Sequence, residues 1–148
     1  MKSSLCTLIK LKELDLSELI ASRHFVEVEI RAIENKIDHI DSKIFSHIKD
    51  VELNLQKSGL NMDLINYLNN EIKTLERTKL SLVEEIRTYE YKVDEINQKL
   101  NETNVDKKKY EKIDSKNKQK HRFDIDQKIK KEVEELILSS LGGGYANQ

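Results

Sequence analysis

The sequence predicts an all-α fold: a long antiparallel two-helix coiled-coil hairpin with a C-terminal helical overhang. Three observations carry this expectation. The chain has 148 residues with no Pro, and three of its four Gly stand together near the end, so it lacks the turn residues that a compact or β-rich domain of this size needs. Apolar residues recur at alternating threes and fours over most of the sequence, the 3.5-residue rhythm of a left-handed supercoil. One clear interior break interrupts the rhythm, at Ser58-Gly59-Leu60-Asn61-Met62-Asp63.

Helix one is expected at about residues 4–57. Placing Ile9, Leu16, Arg23, Ile30, Ile37, Ile44 and Val51 at heptad position a puts Leu5, Lys12, Leu19, Val26, Ile33, Ile40 and His47 at position d, and eleven of these fourteen sites are apolar. A pattern sustained over seven heptads exceeds what a single amphipathic surface helix requires. Arg23 and His47 read as polar seam residues that help to fix register. The turn, residues 58–63, offers Gly59 as a C-terminal stop and Asn61 or Asp63 as the N-cap of the next helix.

Helix two is expected at about residues 64–141. Ile65, Leu68, Ile72, Leu75, Leu82, Ile86, Tyr89, Val93, Ile96 and Leu100 keep the same rhythm, with Lys79 the one polar intruder. The short link makes the helices antiparallel neighbours, since about six residues cannot carry the chain back along a rod of ~80 Å. Pairing outward from the turn sets Val51 near Leu68 and Leu5 near residue 114. Helix one is then exhausted, and about 25 residues of helix two overhang before Gly142-Gly143-Gly144 ends it, leaving 142–148 as a disordered tail.

Between Asn101 and His121 the expected seam sites are polar (Thr103, Lys107, Asp114 and His121), which implies a register shift or weak packing. A fresh apolar stripe follows at Phe123, Ile125, Ile129, Val133, Leu136, Ile137 and Leu141. With no helix one left to cover it, the stripe is expected to seek a partner, or else to self-associate or fold back.

Charge is nearly balanced, at 26 Lys plus Arg against 27 Asp plus Glu, so no global attraction to nucleic acid or anionic membrane is expected. The local exception is the stretch from Lys107 to Arg122, which includes Lys116, Lys118 and Lys120. Its aromatics are limited to Tyr110 and the adjacent Phe123, and it matches no nucleic-acid-reading motif. It reads as a solvated face or as a surface for an acidic protein partner, with nucleic acid as the third alternative.

Chemistry is sparse. The four histidines are spread along the chain with no i, i+4 pair and no His-Cys cluster, so no metal site is expected. Adjacent carboxylates such as Glu84-Glu85 diverge by about 100° on a helix and cannot flank one substrate. The terminal glycines follow a helix instead of preceding one, so they do not form a phosphate cradle. A two-helix fold also offers no enclosed pocket. The expectation is a protein with no enzymatic activity and no cofactor. Cys6, the single cysteine, reads as a small apolar filler. The absence of a secretory leader and of any run of about 20 apolar residues points to the cytoplasm without direct membrane insertion.

Several segments resemble a known family. Ile65-Asn66-Tyr67 opens helix two, Thr74-Leu75-Glu76 follows, and the C-terminal helix carries Glu132-Val133-Glu134-Glu135-Leu136. Over nearly the whole length this layout is similar to that of the flagellar export protein FliJ family, the stalks of type III export ATPases. The resemblance implies a hairpin like the shaft of the rotary ATP synthase central subunit, with its terminal end in the pore of a hexameric export ATPase. The opposite part would contact a membrane export gate component, and export chaperones would be further partners. This places the protein in the cytoplasm, peripheral to the inner membrane, and a monomer when free. For the gate contact the resemblance points to Tyr67, Ile72, Leu75, Lys79 and Leu82, of which Ile72, Leu75 and Leu82 also read as seam core. For the ATPase ring it points to Lys116, Lys118, Lys120, Arg122, Ile129, Val133 and Leu136. The other readings are an injectisome stalk, a prefoldin-like chaperone and a homodimeric coiled-coil spacer. The prefoldin reading is opposed by the lack of room for β-hairpins between the helices.

Overall fold

The computed structural model describes the backbone of residues 2–57, 59 and 61–146, and side chains within 4–142. It contains two helices packed against each other, α1 (Lys2–Gln56) and α2 (Met62–Ala146), joined by residues 57–61. The fold is an all-α helical hairpin. Contacts divide the chain into two units, residues 16–101 with the link, and residues 1–15 with 102–148.

In the first unit the heptad reading accounts for what is covered. Each a and d site of α1 from Leu16 to Val51 is at least half-shielded, and so is each α2 site from Ile65 to Leu100, Lys79 included. Among the described residues there, three apolar side chains are nearly sealed, Ile33 at 5%, Ile65 at 5% and Leu68 at 6% exposure. Two helices explain this: a knob between two strands is covered by the facing hole and its own flanks, while solvent reaches it along both edges of the seam. Exposed Thr74, Thr78 and Thr88 return their hydroxyls to the carbonyl four residues back, at 3.0–3.2 Å, which lets them sit in a helix without an unpaired polar group.

In the second unit Leu5, Ile9 and Lys12 of α1 are half-buried, as are Thr103, Lys107, Tyr110 and Asp114 of α2. Thr103 to Asp114 therefore hold the phase set earlier, and no register shift occurs in the polar stretch. Beyond Asp114 every described side chain, from Ser115 to Gly142, is exposed. His121, an expected seam site, is among them.

The ends differ from the sequence expectation. Asn61 is the N-cap of α2: its Oδ1 accepts from the Leu64 N–H at 3.2 Å and its carbonyl from the Ile65 N–H at 3.1 Å. The helix thus starts at Met62, before the expected residue 64, and Asp63 lies in the first turn, where a negative charge favours the N-terminal dipole. At the other end α2 does not stop at Leu141 but continues through Gly142 to Ala146. No glycine among the described residues has a positive φ, so none acts as a left-handed stop there or at Gly59. Of the tail expected to be disordered, 142–146 is helical, and 147–148 lie outside the described residues.

Two substitutions test this account. Ile33→Ala is expected to lower unfolding stability by about 2 kcal/mol, the low end for a buried Ile, because the site is only two helices deep. A Cβ on Gly59 would meet open space, so Gly59→Ala is expected to be neutral or to stabilise by up to about 1 kcal/mol through the unfolded chain. Urea unfolding followed by circular dichroism reads both.

Candidate partner-binding surfaces

Four cations interrupt the hydrophobic seam, and each has a partner on the facing helix. In the first unit the Arg23 guanidinium donates to Asn97 Oδ1 at 3.0 Å, and Lys79 Nζ lies 2.7 Å from Asp41 Oδ1. In the second, Lys12 Nζ is 3.7 Å from Asp106 Oδ2, and Lys107 Nζ is 3.5 Å from Glu13 Oε1 and also from Glu111 Oε1. Residue numbers in the cross-helix pairs add to about 119, as pairing outward from the turn predicts. Such half-exposed pairs contribute about 0–1 kcal/mol each. They also bear on alignment, since sliding one helix by a heptad would lose all four pairs and, in one direction, set Lys79 against Ile48, Lys12 against Ile113 and Lys107 against Ile20.

Asn97, Asp41, Asp106 and Glu13 were missed at the sequence level. They flank the seam, where charged residues abound, and become identifiable only once the helix alignment is known. His47 differs from the four cations: its Nδ1 is buried and has no hydrogen-bond partner.

The residues expected at the export gate do not form one surface. Tyr67 is 59% exposed, but Ile72, Leu75, Lys79 and Leu82 are half-buried on the seam side, with Lys79 held by Asp41. Other exposed apolar side chains on either side of the link in sequence are Leu53, Leu55, Met62 and Leu64. Grooves on this unit are open, such as the one lined by Asn35, Lys36, His39, Ile40, Thr78 and Leu82.

The residues expected at the ATPase ring do share one segment, the uncovered extension of α2. Lys116, Lys118, Lys120, Arg122, Ile129, Val133 and Leu136 are all exposed. Lys118 is tied to Asp114 at 3.0 Å, and that hydrogen bond and charge hold its ammonium above the ordinary lysine value. From Ser115 to Ala146 the extension would be about 48 Å of single helix. It is basic from Lys116 to Lys131 and acidic from Glu132 to Glu135, with eight large apolar side chains exposed between Phe123 and Leu141. Among the described residues no group of three His, Cys, Asp or Glu could hold a metal, and no helix is long and apolar enough to cross a membrane.

Replacing the unpaired imidazole by a seam-compatible side chain, His47→Leu, is expected to raise stability by about 1 kcal/mol, because an unsatisfied buried group is removed. Thermal melting should shift up by about 3 °C, and a lower melting temperature would contradict the assignment of His47 to the seam.

No protein-family model matches the chain, and no curated protein or solved structure matches it either.

Proposed function

We propose that the protein is a non-enzymatic stalk and coupling subunit of a type III protein export ATPase, of the flagellar kind, working on the cytoplasmic side of the membrane. The observation that carries this reading is the division of α2 into a stretch covered by α1 and a long helix with no intramolecular cover. A subunit that joins two assemblies needs a segment held in one conformation and a segment left for a partner. The covered part of the hairpin supplies the first and the extension the second.

The layout shared with the FliJ family supports the identity of the assemblies: a hexameric export ATPase at the extension and a membrane export gate component at the opposite part, with export chaperones as further partners. Lysines on the extension suit an acidic lining, and the apolar side chains beyond them supply contact area once water is expelled. At the gate, exposed Tyr67 is better placed for contact than Ile72, Leu75 and Leu82, which would have to leave the seam.

Binding to the cognate export ATPase, with a change in its hydrolysis rate, tests the proposal. The combined substitution Lys116→Ala, Lys120→Ala and Arg122→Ala is expected to leave helicity unchanged and to weaken binding about tenfold, with a shallower salt dependence. If the unsubstituted chain leaves both the ATPase and its rate unaffected, the stalk assignment fails.

A further inference from the structure

The apolar stripe of the extension is not a continuation of the hairpin seam. Carrying the seam phase past Asp114 leads to Asn117, His121, Asp124, Lys128, Lys131, Glu135 and Leu138, of which the last alone is apolar. Five of the eight exposed apolar residues, Ile125, Ile129, Val133, Ile137 and Leu141, fall off that phase, by one position at Ile125 and by two at Val133. These five are spaced by four throughout, forming a single ridge of the kind that interdigitates with a like ridge on another helix. The ridge therefore leaves the seam face, starting about 100° from it at Ile125 and turning about 40° further with each step of four residues. It is not a remnant of pairing with α1.

Charge along the ridge selects the occupant. Lys128, Lys130 and Lys131 precede its middle, and Glu132, Glu134 and Glu135 follow. A second copy running in the opposite direction sets these lysines against the glutamates and the glutamates against the lysines, about a two-fold axis near residues 131–133. A copy running in the same direction would set like charge on like. Val133, the central residue of the ridge, lies next to the same point, so the apolar and charge patterns share one centre. Self-complementary order about one point is what a two-fold interface requires.

We propose that the extension is an antiparallel homodimerisation surface, in which two copies of the chain cross ridge to ridge near residues 131–133. The seam closes within one chain and leaves this second surface uncovered. The dimer concerns the free protein and does not rest on the export assignment. A larger partner that takes the extension would compete with the second copy for the same ridge.

Sedimentation of the full chain tests the proposal. The mass is expected to rise from that of one 17.3 kDa chain towards two as protein increases from about 1 to 200 µM, the range in which small interfaces associate. Ile129→Asp with Val133→Asp should hold the chain monomeric throughout while leaving hairpin melting unchanged, since neither residue touches the seam. Reversing the lysines alone (Lys128→Glu, Lys130→Glu, Lys131→Glu) should weaken dimerisation at least tenfold. Orientation is read with a spin label at Lys120→Cys in a Cys6→Ser background: an antiparallel pair separates the two labels by about 36 Å and a parallel pair by about 10 Å. A chain that stays monomeric, a dimer that survives the two Asp substitutions, an assembly larger than two or a short label distance would each overturn the proposal. Monomeric behaviour would leave the ridge to a partner of different sequence.

Discussion

The structure depends on one constraint: two apolar stripes in a single chain must face each other in one alignment, although each is interrupted by charge. Apolar side chains supply the driving force for pairing but choose poorly among alignments, because one Ile or Leu accepts another seven residues away almost as well. The short link limits which residues can meet, and the seam cations favour the alignment it allows. Arg23 reaches Asn97, Lys79 reaches Asp41, and the Lys12–Asp106 and Glu13–Lys107 pairs do the same in the other unit. Past Asp114 every described side chain of α2, from Ser115 to Gly142, is exposed.

Much of this was legible in the sequence because heptad periodicity survives substitution at single sites. Arg23, Lys12, His47 and Lys79 interrupt the apolar pattern, yet the phase on either side of each is unchanged, and each is half-shielded in the fold. The segment at Thr103, Lys107 and Asp114 read as a disruption only because composition was weighed without partners. A lysine stem can lie along a seam while its ammonium reaches a facing carboxylate, as Lys107 does with Glu13.

Helix ends and flanking partners were harder to read. The glycine run was expected to stop α2, but glycine only weakens a helix, by roughly 1 kcal/mol per residue, and a stop requires a left-handed turn that none of the described glycines makes. The gate candidates were drawn from a resemblance and fell on the seam, except for Tyr67. An apolar residue at a seam position is already committed to the other helix, so an a or d position in a paired segment weighs against a role in binding. The extension carries no such conflict, and its candidates are all exposed.

The short link at residues 57–61 also governs how such a molecule assembles. Contacts beside the link close small loops, whereas Lys12 must find Asp106 across most of the chain, so the entropic cost of pairing rises with distance from the turn. Loop entropy therefore favours the pairing of Ile65 and Leu68, the most deeply covered side chains of α2, over the more distant pairs. Transient opening runs in reverse, starting at Lys12–Asp106 and Glu13–Lys107, where polar groups replace the apolar seam. The end adjoining the uncovered helix is thus the most readily parted, and a partner gripping that helix gains access to the last turns of the hairpin without unfolding the rest.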